Sequence, residues 1–327
     1  MQYLFLFLFI ALGGYPCELS IDKGIVIEGT ATISSIACIK KQSQTQLVIG
    51  VAEENRGYIF TRQGKGSYSL SEADTKVYGK EGDGIGKALA IGDINGDGAI
   101  DLIIAGSETV YVIEGPITSD RDVERPLPAT FTDIRAITTG NVDGDWYDDI
   151  IVTADGGCYL FFGCNPLIGI NEPLIFEKAD LGTSLVSCDI NGDGFSDIAV
   201  AGQNKVYVIY GSSSLPASLT ASLVIEGRDR IASGNLNNDQ YSDLLIGGTD
   251  TTSILYGTSN PSGTPTNEIL VGGSLLCSNL DGEGSDEFLI SGTLFSGTTA
   301  FGSMSGGNLF TSFDYDQNVD DYLIVAS

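Results

Sequence analysis

GDINGDGAIDLIIAG, residues 92–106, is a loop with oxygen side chains at alternate positions that runs straight into an apolar strand. Four further segments align to it without gaps: GNVDGDWYDDIIVTA (140–154), CDINGDGFSDIAVAG (188–202), GNLNNDQYSDLLIGG (234–248) and SNLDGEGSDEFLISG (278–292). Their first loop residues, Asp93, Asn141, Asp189, Asn235 and Asn279, stand 48, 48, 46 and 44 residues apart. A period in the forties, with a strand on either side of each loop, marks the blades of a propeller.

Reading outward, each apolar run is followed by a further strand that closes on glycine: VYVIEG, CYLFFG, VYVIYG and SILYG. Tyr111, Tyr159 and Tyr207 share one place in it. In the strand before each loop, Leu89, Ile137, Leu185, Ile231 and Leu275 are large and apolar, which suits packing between blades. Gly92, Gly140, Cys188, Gly234 and Ser278 are small, which suits the crowded place where the innermost strands converge. Two weaker copies flank the five: residues 36–51 with Tyr58 in the following strand, whose loop has no acid, and residues 314–327, where the chain stops after one strand pair. GIVIEG, residues 24–29, resembles VYVIEG and supplies the missing strand. The fold class is therefore all-β, a seven-bladed β-propeller with its ring closed by the N-terminal strand.

Counting from the first loop residue, oxygen side chains recur at positions 1, 3, 5 and 9, and position 7 can add its backbone carbonyl. The candidate ligands are Asp93, Asn95, Asp97, Ala99 and Asp101; Asn141, Asp143, Asp145, Tyr147 and Asp149; and Asp189, Asn191, Asp193, Phe195 and Asp197. Asn235, Asn237, Asp239, Tyr241 and Asp243 supply fewer carboxylates, and Asn279, Asp281, Glu283, Ser285 and Glu287 have two longer side chains. Five or more hard oxygens with net negative charge suit Ca²⁺ rather than Mg²⁺, so four to five calcium ions are expected. An EF-hand would need glycine at position 6, an acid at position 12 and flanking helices, and these loops have none of that set. In a last loop, Asp314, Asp316, Asn318 and Asp320 are followed by Tyr322 where the final acid belongs.

The formal charge of −27 excludes a nucleic-acid binder, since this surface repels phosphate backbones. Histidine is absent, which removes the commonest general base and the Ser-His-Asp nucleophile. No enzyme activity is expected. The apolar run YLFLFLFIAL, residues 3–12, followed by small residues, reads as a signal peptide at 1–14, leaving the propeller at 15–327 and a secreted, extracellular protein. An apolar core strand is the competing reading. No stretch reaches the roughly 20 apolar residues of a membrane span. Six cysteines fit an oxidising compartment, although Cys158 and Cys164 bracket one extended strand and are too far apart to pair.

Residues 84–106, GIGKALAIGDINGDGAIDLIIAG, with the VYVIEG that follows, resemble the FG-GAP repeat of integrin α-subunit N-terminal propellers. That resemblance implies calcium in these loops on one face, with ligands and partner chains met mainly on the other. The proline of GAP is missing from every copy, and the leg, transmembrane and cytoplasmic parts of an integrin subunit are absent. The function this implies is a cell-adhesion or protein-recognition module with a protein or cell-surface partner. Turns on the far face, AEENRG from Ala52 with Arg56 and Tyr58, and GQNK from Gly202, are candidate contacts. The alternative is a propeller-type lectin taking glycans, but no aromatic pocket recurs, and the sole tryptophan, Trp146, lies in an acidic loop, where packing is expected.

Overall fold

The computed structural model describes residues 2–7, 25–29, 31–41, 44–61, 66–265, 268–269, 271–272, 275–278, 285–290, 293–296, 299–303, 309–314 and 321–326. Each repeat folds as an antiparallel meander of four strands, here called inner, second, third and outer. The unit holding the first acidic loop is Ala88–Gly92, Asp101–Ala105, Val110–Ile113 and Arg125–Pro126. The next is Ala136–Gly140, Asp149–Ala154, Gly157–Phe161 and Leu174–Glu177, and the third is Leu181–Cys188, Asp197–Gly202, Lys205–Ile209 and Leu223–Glu226. Two more follow, with inner strands Arg230–Gly234 and Leu275–Ser278.

The register is the same throughout. The small residue before each loop pairs with the loop's ninth residue: Gly92 with Asp101, Gly140 with Asp149, Cys188 with Asp197, Gly234 with Asp243 and Ser278 with Glu287. The acid-free copy pairs Ser35–Lys41 with Gln44–Val51 and then Arg56–Phe60, as its sequence predicts.

Among the described residues the strands fall into seven sheets. Their inner strands neighbour one another in chain order from Ser35–Lys41 to Leu309–Asp314, and the last lies beside the first. The sheet begun by Leu309–Asp314 and Asp321–Ala326 is continued by the chain's opposite end. Gln2–Phe7 takes the third place, antiparallel to Asp321–Ala326, and Ile25–Gly29 takes the fourth. The sequence expects Ile25–Gly29 alone in this sheet. The apolar run assigned to a leader thus contributes a strand of its own here, and residues 8–14 lie outside the described ones.

The second strands are buried along their whole length because a neighbouring sheet covers each face. In Asp101–Ala105, Leu102 and Ile104 pack with Val48 and Ile59 of the preceding sheet, while Ile103 and Ala105 pack with Ile137 and Ile150 of the next. The core is accordingly a series of layers between blades. Gly92 and Gly234 show why the small position is small. A Cβ on Gly92 would lie 3.1 Å from Thr139 Cβ of the next inner strand, and one on Gly234 would lie 2.8 Å from Cys277 Cβ. No helix among the described residues is long and apolar enough to cross a membrane.

Candidate metal loops

In the first loop the side-chain oxygens of positions 1 and 3 gather on one amide. Asp97 N–H donates to Asp93 Oδ1 at 3.1 Å and to Asn95 Oδ1 at 3.0 Å. The third loop repeats this with Asp193 N–H on Asp189 and Asn191, at 3.2 and 2.8 Å, and the fourth with Asp239 N–H on Asn235 and Asn237, both at 3.1 Å. In the second, Asp145 N–H reaches Asp143 at 3.1 Å while Asn141 accepts from Gly144 N–H at 2.7 Å. Each fifth-position carboxylate accepts the seventh-position amide: Asp97 from Ala99, Asp145 from Tyr147, Asp193 from Phe195 and Asp239 from Tyr241, at 2.7 to 3.0 Å. The turn between positions 3 and 5 needs a positive φ, which Gly96, Gly144, Gly192 and Asn238 provide.

The ninth residue has a different task. Asp101, Asp149, Asp197 and Asp243 are completely buried. In each, Oδ2 accepts the second-position amide (Ile94, Val142, Ile190, Leu236) at 2.7 to 3.0 Å. Oδ1 accepts the amide of the glycine after the third strand (Gly115, Gly163, Gly211, Gly257) at 2.8 to 3.0 Å. One carboxylate thus ties the loop to the end of its own blade. Burial pushes the carboxyl up to about 6 in Asp101, Asp197 and Asp243 and to about 7 in Asp149, against the opposing pull of those two amides.

Consecutive loops are also tied to one another. The eighth-position amide of one loop donates to the first-position carbonyl of the loop before it: Asp148 to Asp93, Ser196 to Asn141, Ser242 to Asp189 and Asp286 to Asn235, at 2.8 to 3.0 Å. Asp148 and Asp286 add a side-chain bond, each accepting the first-position amide of the preceding loop at 2.9 and 2.7 Å. The seventh-position ring lies across the preceding loop's fourth-position glycine: Tyr147 over Gly96, Phe195 over Gly144 and Tyr241 over Gly192. Sequence reading used these three residues only for their carbonyls. The clue was in the alignment, because where position 4 is Asn238 the next seventh residue is the small Ser285.

Asn279, Asp281, Glu283, Asp316, Asn318 and Asp320 lie outside the described residues. For the other loops the donor chemistry, hard oxygens with two or three carboxylates each, fits a calcium ion. Among the described residues no three carboxylate or thiol side chains are grouped to hold a metal, the ninth-position carboxylate being turned to the backbone.

Two residues are placed differently from expectation. Trp146, expected to pack, is 91% exposed. Tyr58 is buried, its hydroxyl donating to Glu54, so it presents no surface. Cys158, Cys164, Cys188 and Cys277 are free thiols. Burial raises the pKa of the Cys158 and Cys188 thiols to about 12.

Residues 181–209, the inner strand, loop, second strand and third strand of one unit, match the FG-GAP repeat model. The crystal structure of BBS1N in complex with ARL6DN, soaked with lead, is 12% identical and superposes with a TM-score of 0.57 over 90% of this chain and 92% of that one. The chain is a β-propeller carrying an FG-GAP repeat. The structure of the Dos1 propeller is similar to the same extent, at 14% identity and a TM-score of 0.57, covering 90% of this FG-GAP propeller and 78% of the other chain. No curated protein sequence matches it significantly.

Proposed function

We propose that this chain is a closed, seven-bladed propeller that serves as a secreted protein-recognition module in adhesion, with calcium held in its acidic loops. The observation that carries the reading is the repetition of one loop conformation, with one register, around a ring of inner strands. Positions 1, 3 and 5 with the seventh carbonyl would hold each ion, over the buried ninth carboxylate. The ion would offset the charge these loops concentrate.

The two faces differ in charge, which supports recognition by one face and metal holding by the other. The five acidic loops contain no Lys or Arg. Arg56, Lys87, Arg135, Lys205 and Arg230 sit where strands begin at the opposite end, several paired there, as in Lys87 with Asp133 at 3.0 Å and Lys205 with Glu226 at 2.9 Å. BBS1N, a propeller-like neighbour of this chain, is captured with a protein partner, which supports a protein rather than a small-molecule ligand. The exposed indole of Trp146 favours a second reading, a lectin with one sugar platform. The test is binding of the purified protein to native cell surfaces in calcium, before and after enzymatic removal of glycans. Binding that survives supports a protein partner; binding lost with the glycans gives the lectin reading instead.

A further inference from the structure

We propose that the acidic loops are coupled along the ring, so that calcium in one loop raises the affinity of the loop before it. This rests on the calcium reading above and adds a regulation to those sites: filling in a run rather than independently.

The coupling has three contacts at each of the first three junctions between acidic loops. The next loop's eighth amide holds the first-position carbonyl, as Ser196 holds Asn141 at 2.8 Å. The next loop's seventh side chain covers the glycine between ligand positions 3 and 5, as Phe195 covers Gly144. The residue after the third strand's glycine bonds the second-position carbonyl, as Cys164 does to Ile94, Ser212 to Val142 and Thr258 to Ile190, at 2.9 to 3.1 Å. The groups that make these contacts are next to, or part of, the next loop's own donor set. Position 7 offers its carbonyl to an ion, and its amide is already fixed by the fifth carboxylate. An ion that orders positions 5 to 8 of one loop therefore orders positions 1 to 4 of its predecessor, and the second ion meets a loop whose ordering cost has been met. By linkage the effect is reciprocal.

The molecule contains a junction that differs. Between the fourth and fifth loops, Asn238 replaces the glycine and Ser285 the ring, while the backbone bond from Asp286 to Asn235 persists at 2.8 Å. The ring contact is missing there, and the Asp286 carboxylate instead accepts the Asn235 amide at 2.7 Å.

Trp146, the sole tryptophan, is an exposed reporter in the second loop. Calcium is titrated into the full chain while its fluorescence is read, with calorimetry in parallel for the number of ions bound. Asp189→Ala removes the first ligand of the third loop, and Phe195→Ser removes the ring while keeping every side-chain ligand. Both are expected to move the Trp146 midpoint to about fivefold higher calcium or more, and Asp239→Ala, one loop further away, to move it less. Calorimetric uptake with a Trp146 midpoint unchanged by either nearby substitution overturns the coupling and leaves the calcium reading intact. Should calorimetry find no uptake by the unaltered protein, both fall. If Phe195→Ser does not fold, Asp189→Ala alone decides.

Discussion

At the scale of single residues, the ninth-position aspartate and the fourth-position glycine are the places where one atom decides most. Asp149 is completely buried and satisfies two backbone amides at 2.7 and 3.0 Å. Alanine there strands both donors, which should cost about 2–3 kcal/mol, and asparagine, with one acceptor, should lose part of that. The check is urea denaturation in calcium and in chelator. Equal losses in both identify a backbone tie, whereas a loss confined to calcium would make Asp149 a metal ligand first. Gly144 and Gly194 separate conformation from crowding. Both have positive φ, 77° and 87°, but a Cβ on Gly194 meets nothing within 4 Å, while one on Gly144 would clash with the edge of the Phe195 ring. Gly194→Ala should cost about 1 kcal/mol, the left-handed penalty alone. Gly144→Ala should cost about 3 kcal/mol or more, as overpacking is added, and equal melting temperatures for the two variants would remove the ring from the argument.

At the scale of elements, each loop is a hinge between two strands whose ends it must hold together while carrying two or three carboxylates. If the loops hold calcium as proposed, chelation would leave those charges facing one another, so removing calcium should lower the melting temperature of the whole chain by several degrees, reversed by added calcium. An unchanged transition in excess chelator would show that the hydrogen bonds within and between the loops suffice. The strands themselves were legible beforehand. An apolar run such as DLIIAG is continuous because neighbouring sheets cover both faces, and glycine at position 4 announces its turn. The aromatic seventh residues were not, because a half-buried Tyr or Phe in an acidic loop has the same sequence signature whether it turns toward its own strand or across to the preceding loop.

At the scale of the whole molecule, the sheet where the chain's two ends meet is decided by residues 2–29. With Gln2–Phe7 in the third place, Ile25–Gly29 lies parallel to Asp321–Ala326 and one strand removed from it. Loss of a leader at 1–14 would remove that third strand, and Ile25–Gly29 would have to turn round to pair antiparallel in its place, as the third strands of the other blades do. N-terminal sequencing of protein recovered from the medium is expected to begin near residue 15 if the secreted reading holds. A start at Met1 or Gln2 would instead make residues 2–7 a permanent strand and end the case for a cleaved signal.

By itself the sequence determined the all-β repeat, the five loops with oxygen side chains at alternate positions, and the small and large places of the inner strands. Those are fixed by period and by local chemistry, which recur in the chain itself. Only the tertiary structure decided that the ninth carboxylate is buried on two amides, that rings bridge one loop to the next, that Trp146 stands in solvent and that Gln2–Phe7 can enter the final sheet. The bridging rings and the Gln2–Phe7 strand depend on what lies across from a residue rather than beside it in the chain, 49 to 51 residues away for the rings and more than 300 where the two ends meet, while the ninth carboxylate depends on how its own blade folds back onto it, with amides 7 and 14 residues away; none of this leaves a mark in local spacing.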